Sequence, residues 1–462
     1  MLMDDTGTAL ARALMRAELT PRALIRAVNR RLVAAGYERL SETVAYRWVG
    51  SGAAPRDAHV PALVASVLSE ATGHRYCLAD LWPGRTGSAC ISADENLHAP
   101  PSVRATVDHL HELSTTAGPH RRTVAPVDGA ALLSAARAAT DRPPAPIPAN
   151  RRGERVLPPM MTLIEAHVAD LRALDDRTGG GTVSQRYVAA QLAAALDLLS
   201  HARCEAPVAA RLLTVTAELA RIAGWMHYDA NAHGAAQRYL LLGLRLACAA
   251  QDTVGQANIL GMLAYQAAHT RAPKAAVDLA EAAVDLARSH GPAPQARAHG
   301  RLATAHAAAG DLNAYRRAAD TARALLEHTH EGPDALYYLT PRQLDAEAGQ
   351  ALVTLAGTHR IRSELLNEAT LRLTPLSDAP ADTPYPRSAL LHGCYLAQAL
   401  TGIGDITGAA HAVDTALDRL PGVQSVRCTT QLITLRAPLA RYRSHPDAQR
   451  VVERLGRALA AT

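Results

Sequence analysis

The chain of 462 residues contains no phenylalanine, and aromatic residues make up only 3% of it. Its core must therefore consist mainly of leucine, valine and alanine, and windows rich in alanine and leucine favour helix. Lysine is almost absent too: Lys274 is the single one, so arginine supplies nearly all the positive charge. The formal charge of +5 is mild for this length. It permits nucleic-acid binding without requiring it.

Long apolar stretches are missing as well. No uninterrupted apolar run reaches about 18 residues, the length that a membrane-spanning helix needs. The first ten residues, "MLMDDTGTAL", are acidic and lack the basic and apolar regions of a signal peptide. The six cysteines form no CxxC pair, which is typical of reduced thiols inside the cell. We therefore expect a cytoplasmic protein with no membrane partner.

Motifs of enzyme and metal sites are also missing. The sequence has no P-loop, no GxSxG and no HExxH, so we expect no enzyme, no cofactor and no metal. The histidines of "EHTHE" (327–331) and the pair His227 and His233 lack nearby thiolates, which structural zinc commonly uses. Three glycines in "DRTGGGTVSQ" (176–185) could cradle an anion. Without a GK[ST] ending or a preceding strand they indicate a flexible loop between helices.

What fills the chain is helical periodicity interrupted by turns, which predicts an all-α fold. Residues 1–83 read as a domain of five short helices. Residues 84–157 read as a Pro-rich, partly structured linker with helical segments near 102–114 and 128–140. Residues 158–462 alternate helix and turn to the end, and we predict a helical repeat domain there.

Four segments of this last part share small residues at matching positions. The clearest is "YLAQALTGIGDITGAAHAVDTALDRLPG" (395–422), which matches the tetratricopeptide pattern of two closely packed helices. Similar units lie at 301–327, around 260–287 and at 218–247. From Leu260 to Leu302 is 42 residues, and from Leu302 to Leu396 is 94, or two units averaging 47. The consensus period is about 34, so these are elongated, divergent repeats.

In the first domain, "LSETVAYRWVGSG" (40–52) is a short helix signal. Ser41 is a suitable N-cap, and Gly50 and Gly52 follow the helix. Wound as a helix, the segment has two faces. The apolar stripe comprises Val44, Ala45, Trp48 and Val49, and the polar stripe comprises Thr43, Tyr46, Arg47 and Gly50.

The polar stripe has two interpretations. It could be an ordinary solvated face, or it could be the reading face of a recognition helix in the DNA major groove. Residues 1–60 hold nine arginines and six acids, a local excess of +3 that favours DNA. We expect Thr43, Tyr46 and Arg47 to reach base edges, and Arg39, Ser41 and Arg56 to lie near phosphates. Glu42 would repel phosphate unless it accepts from a cytosine amine.

In the repeat domain, "GWMHYDANAHGAAQRYL" (224–240) concentrates the scarce aromatic residues. These side chains could form the packing centre of the first full repeat, with Asp229 or Asn231 capping the next helix. Alternatively, some of them line a ligand groove, where amides could pair with a bound peptide backbone. The candidate ligand-binding residues are Trp225, Tyr228, Asn231, Asn258 and Tyr265.

Residues 8–82 resemble the Cro/phage-repressor type of helix-turn-helix, in which a Trp-x-x-Gly ends the recognition helix region and a Pro follows. Here that is Trp48-x-x-Ser51, with Gly50, Gly52 and Pro55. With the divergent repeats, the chain resembles actinobacterial regulators of development and secondary metabolism that join a helix-turn-helix to a tetratricopeptide domain. It is also similar to the peptide-sensing regulators of Gram-positive bacteria. One departure is that helix 2 starts near Pro21 and helix 3 near Glu42, 21 residues later, with "GYERL" between them.

The resemblance implies a transcriptional regulator that binds double-stranded DNA as a homodimer. The repeat domain would supply the dimer contact, the groove for a peptide or small-molecule effector, or both. Two alternatives stay open. The chain could be a protein-interaction scaffold whose first domain has lost DNA binding, or an enzyme that uses the solenoid cleft, for which the sequence offers no catalytic residues.

Overall fold

The computed structural model describes residues 7–34, 37–55, 59–72, 76, 78–83, 102–115, 124, 126–141, 153–327, 336–380 and 382–460. Within these ranges the regular structure is helical, with an isolated bridge between Arg155 and Arg203 but no β-strand. The prediction of an all-α fold is confirmed. None of the helices in these ranges is both long enough and apolar enough to cross a membrane.

Five short helices lie in the described part of residues 7–83, where the sequence predicted five. They are α1 (Ala9–Arg16), α2 (Pro21–Ala34), α3 (Val44–Ser51), α4 (His59–Thr72) and α5 (Leu78–Leu81). Thr8 joins the first helix to the third, because its hydroxyl accepts from the Ala11 N–H at the start of α1 and donates to the carbonyl of Val49. Trp48, only 2% exposed, anchors α3 in this bundle.

The long connection from α2 to α3 is held at both of its ends. The side chain of Asn29 in α2 makes two hydrogen bonds of 2.9 Å to the backbone of Leu40, one to its N–H and one to its carbonyl. Near the other end, Tyr37 donates its hydroxyl to the carbonyl of Asn231, 194 residues further along the chain. Its ring also lies edge-on to His233, with 5.2 Å between the ring centroids. The connection therefore contacts the aromatic-rich segment 224–240.

Two helices follow, α6 (Val103–Thr115) and α7 (Gly129–Asp141), close to the segments that the sequence predicted. Both belong to the 84–157 region, and both pack on later helices rather than standing apart. Tyr239, for example, donates to the carbonyl of Leu113, and Gln237 makes two hydrogen bonds to the backbone of Val127. This part of the region thus forms an outer layer on the following helices.

The remaining helices run to the end of the chain. They are α8 (Pro158–Thr178), α9 (Thr182–His201), α10 (Ala206–Asp229), α11 (His233–Ala249), α12 (Thr253–His269), α13 (Pro273–Ala287), α14 (Pro292–Ala309), α15 (Leu312–Glu327), α16 (Pro341–Ala356), α17 (Arg362–Ser377), α18 (Pro386–Ile403), α19 (Ile406–Arg419), α20 (Val426–Leu439) and α21 (Pro446–Ala460).

From α10 onward these helices form hairpins stacked in chain order. The four units identified in the sequence correspond to α10–α11, α12–α13, α14–α15 and α18–α19, and α16–α17 fills the double interval. Glycine lets the helices of a hairpin approach closely: a Cβ on Gly224 would lie 2.7 Å from Leu240, and one on Gly349 would lie 2.7 Å from Leu373. The even-numbered helices from α8 to α20 also contact one another in sequence and form an inner layer.

The inner layer closes on itself, because α8 packs against α18 and α10 against α20. The three glycines of 179–181 lie at this closure and are more than a flexible connection. A Cβ on Gly180 would lie 2.2 Å from the carbonyl oxygen of Met226, and one on Gly181 would lie 1.9 Å from the side chain of Gln424. The N–H of Gln424 also donates to the carbonyl of Thr178. Only glycine fits at position 180, where the backbone approaches that of Met226.

Candidate functional site

The polar stripe of α3 is open to solvent. Thr43, Tyr46 and Arg47 are all exposed, with Tyr46 at 55%, whereas Ala45 and Trp48 on the opposite stripe are buried. Ala45 and Trp48 are buried as the apolar periodicity predicted. A short helix fixed by one buried face and presenting hydroxyl and guanidinium groups on the other can make hydrogen bonds to a large partner.

The start of α3 differs from its prediction. The helix begins at Val44 rather than just after Ser41, so Ser41 is not its N-cap. Thr43 occupies the cap position without a side-chain cap bond, and the hydroxyls of Ser41 and Thr43 lie 2.9 Å apart. Ser41 and Arg39 are both exposed next to the helix. Arg56, the remaining predicted contact residue, lies outside the described residues.

Glu42 is engaged by two arginines of α2, an arrangement that the sequence did not reveal. Its carboxylate oxygens lie 2.7 Å from Nε of Arg22 and 3.2 Å from Nε of Arg26. Hydrogen bonds from Arg26 and Arg22 lower the pKa of Glu42. The carboxylate that would repel phosphate is therefore neutralised, and the three side chains together carry one positive charge.

The candidate ligand-binding residues of the repeat domain separate into different places. Trp225 and Tyr265 line a cavity inside the ring of even-numbered helices. Tyr228 is buried beside them, with its ring 5.2 Å from that of Trp225. Asn258 is buried and lines neighbouring clefts instead.

Asn231 lies at the junction between the first domain and the repeats, away from the cavity lining. It forms the turn between α10 and α11 in the left-handed conformation, with φ of 56°. Its carbonyl accepts from Tyr37, and its side-chain amide donates to the hydroxyl of Thr430 in α20. Asn231 thus joins three parts of the molecule.

The centre of a water molecule can occupy about 70 Å³ of this cavity. Five arginines line it, together with three acids and several aromatic side chains. The arginines are Arg172, Arg221, Arg301, Arg387 and Arg427, and the acids are Asp175, Asp176 and Glu347. They come from α8, α10, α14, α16, α18 and α20, so the closure of the ring brings them together.

Acids engage three of these arginines: Arg172 lies 3.6 Å from Glu218, and Arg221 and Arg387 donate several hydrogen bonds to acids. Arg221 donates from two nitrogens to Glu218, at 2.7 and 2.6 Å. One nitrogen of Arg387 donates to Asp175 at 3.1 Å and to Asp176 at 3.2 Å. Because these groups are buried, each charge is stabilised by its partners rather than by water.

Trp225 is in contact with the guanidinium groups of the two remaining arginines. The guanidinium carbons of Arg301 and Arg427 lie 5.6 and 5.3 Å from its ring centroid, distances typical of cation–π contacts. Arg301 lies 3.5 Å from Glu347, which also binds Arg297 through a two-nitrogen fork. Arg427 lies 3.2 Å from Asp229. Both arginines therefore share their acid with a second arginine.

Burial shifts the pKa values of several groups around the cavity. It raises the pKa of Asp175 to about 7, against the opposing effect of Arg387. It lowers the pKa of His269 and of His392 to about 4, so both imidazoles are neutral at physiological pH. In contrast, the pKa of Glu347 lies far below its usual range, because Arg297 and Arg301 outweigh the effect of burial.

The arginines were not predicted as site residues. They are spread from position 172 to position 427, and no local motif distinguishes them from the many arginines at the surface. The cluster of aromatic residues at 224–240 was the available signal, and it located one wall of the cavity. In the described ranges, no group of three or more His, Cys, Asp or Glu side chains is arranged to hold a metal ion.

Comparisons with known proteins assign no family to this arrangement. No protein-family model matches the sequence, and no curated protein matches it significantly.

Proposed function

We propose that the protein is a cytoplasmic transcriptional regulator that binds double-stranded DNA through α3. The observation that carries this proposal is the exposed polar face of α3, with Thr43, Tyr46 and Arg47 opposite the buried Trp48. A helix held in this way can enter the major groove, where an arginine fork pairs with guanine. The α2–α3 pair would be the helix-turn-helix, and the stacked hairpins would be divergent tetratricopeptide repeats.

Two contacts support the placement of this helix. The Asn29 clamp on Leu40 fixes the chain just before α3, so the long connection does not leave the helix loose. The pairing of Glu42 with Arg22 and Arg26 removes an isolated negative charge from the side that would face the phosphates. Exposed Arg39 and Ser41 are then available as backbone contacts.

The repeat domain would supply effector sensing and dimerisation. Tyr37 connects the segment before α3 to the α10–α11 turn, and Asn231 in that turn connects to α20 at the ring closure. An effector that binds one arrangement of the ring more tightly would change the position and orientation of α3 through these contacts. A homodimer would place two such helices on two half-sites, which a single small domain needs for useful affinity.

The first experiment is genome-wide capture of DNA by the native protein, where a palindromic motif would support both DNA binding and the dimer. Fluorescence anisotropy with a duplex carrying that motif then measures affinity against salt. We expect Arg47→Ala to weaken binding by about 1–3 kcal/mol and to relax specificity at one position. Arg39→Ala should weaken binding evenly across sequences.

Arg186→Ala is the matched control. Arg186 is an exposed arginine on α9, so its loss changes the net charge equally without touching α3. Equal effects of Arg47→Ala and Arg186→Ala would show that only general charge matters and would contradict docking through α3.

The alternative is a protein-interaction scaffold without DNA binding. The engagement of Arg22 and Arg26 by Glu42 favours this alternative, because two arginines that could contact phosphates are partly neutralised. The scaffold predicts no salt-dependent binding to any promoter fragment, so the anisotropy measurement distinguishes the two functions.

A further inference from the structure

We propose that the cavity inside the helical ring binds a small anion carrying phosphate or carboxylate groups, held between Arg301 and Arg427 beside Trp225. This inference deepens the effector role given to the repeat domain under the proposed function. The binding itself is measurable without DNA.

The side chains around the cavity carry an excess of positive charge. The three acids of the lining face five arginines, and the two acids behind them, Glu218 and Asp229, already bind arginines. With Arg297, the whole group has six arginines and five acids, which leaves one positive charge in a buried place. Protonation of Asp175 would raise the net charge of the group to +2. Buried charge without a partner is costly, and an anion in the cavity would balance it.

Several hydrogen-bond donors around the cavity remain available for a ligand. Arg221 and Arg297 use two nitrogens each on carboxylates, whereas Arg301 makes no hydrogen bond through its side chain to any residue that the structure describes. The Nε atoms of Arg172 and Arg387 and the hydroxyl of Tyr338 are also buried without hydrogen-bond partners among those residues. Guanidinium forks match the paired oxygens of phosphate and carboxylate.

The shape of the site suits a compact ligand. The centre of a water molecule can occupy about 70 Å³ of the cavity, which is room for several waters or one small anion. Its wall is closed where α8 meets α18, and the contacts of Arg387 with Asp175, Asp176 and Asp229 lie at this closure. An extended peptide needs a long open groove. The closed ring favours a compact ligand over the peptide that the sequence also allowed.

The experiment is calorimetric titration of the full-length protein, free of DNA, with pyrophosphate and separately with citrate. Sodium chloride at matched ionic strength is the salt control. Pyrophosphate and citrate both offer several anionic oxygens, so a preference between them identifies the phosphate or the carboxylate class. We expect saturable binding of at least one of them, above the salt control.

A matched pair of variants tests the location. Ser388 lines the cavity and is half-buried, so Ser388→Asp brings a negative charge into the lining without removing any arginine. Ser388→Asn has nearly the same shape and no charge. We expect Ser388→Asp to weaken anion binding at least about tenfold, because like charges placed together cost several kcal/mol, and Ser388→Asn to bind as the natural protein does.

The results separate this inference from the proposed function. A natural protein that binds neither anion at millimolar concentration overturns the inference, and so does equal binding by the Asp and Asn variants. Anion binding without any DNA binding would leave the cavity site standing and refute the regulator. DNA binding without anion binding would support the regulator and refute the anion site.

Discussion

Asp229 is the acid at which the ring closure is most easily tested. Its side chain is 0% exposed and lies 3.5 Å from Arg387 and 3.2 Å from Arg427. Its second oxygen accepts from the N–H of Gly180 at 3.1 Å. Asp229→Asn keeps the size of the side chain and an oxygen for Gly180, so the substitution removes chiefly the charge.

The expected loss of stability depends on the interaction partners that each arginine keeps after the substitution. Arg387 retains Asp175 and Asp176, at 3.1 and 3.2 Å. Arg427 loses its carboxylate partner and retains the faces of Trp225 and Tyr228, at 5.3 and 5.1 Å. Breaking a buried ion pair on one side costs about 3–5 kcal/mol. Because Arg387 keeps two other acids and the charge of Arg427 still faces two aromatic rings, we expect Asp229→Asn to lower the free energy of unfolding by about 3 kcal/mol, the lower end of this range.

Urea denaturation followed by circular dichroism measures this change, with the slope of the transition checked for equality between variants. Asp285→Asn is the control, because Asp285 pairs with Arg288 at 2.5 Å at the exposed surface. Such a pair contributes about 0.2–1 kcal/mol. Replacing Arg427 by Met in the Asp229→Asn background should recover part of the loss. A loss below about 1 kcal/mol in Asp229→Asn would refute the buried-charge reasoning.

Two further predictions concern Tyr37 and Asp175. Tyr37→Phe removes the 2.7 Å hydrogen bond to Asn231 but keeps the ring beside His233. It should cost about 0.5–1.5 kcal/mol and speed hydrogen exchange in residues 37–43, and unchanged exchange would contradict the link. Asp175 has its pKa raised to about 7 when folded, so the native state binds more protons than the unfolded state and stability falls as pH rises from about 4 to 7. The free energy of unfolding of Asp175→Asn, relative to that of the natural protein, should therefore rise by roughly 2 kcal/mol from pH 5 to pH 7 in denaturation experiments. The same difference between the two proteins at both pH values would contradict the raised pKa of Asp175.

Local pattern predicted much of the fold. The five short helices of the first domain, the two helical segments near 102–114 and 128–140 and four of the hairpins all lie where periodicity and turn residues indicated. The interval of 94 residues between Leu302 and Leu396 also indicated one undetected pair, and α16–α17 occupies it. These features depend on neighbours along the chain, which a single sequence displays directly.

The ring closure depends on partners that are far apart in sequence. Arg387 and Asp175 are separated by 212 residues, and Arg387 and Asp229 by 158. An arginine or aspartate on a helix has no periodic signature of the partner it will meet, so the charged lining of the cavity could not be predicted. The scarcity of aromatic residues helped, because it directed attention to the segment 224–240 and so to Trp225. The helix ends and helix rotations seen in the structure were needed to show that Trp225 and Tyr265 line the cavity and that Asn231 does not.

The contacts of Tyr37 explain why the connection between α2 and α3 is long. A shorter turn would bring α2 and α3 together without reaching any other part of the molecule. The longer segment lets Tyr37 touch Asn231 and His233 while Asn29 holds Leu40 in place. His233 in turn lies 5.7 Å from the ring of Tyr228, which contacts Trp225 at the cavity wall. A ligand beside Trp225 would therefore act on packed side chains that reach the segment preceding α3, and that segment is where an effector signal would have to arrive.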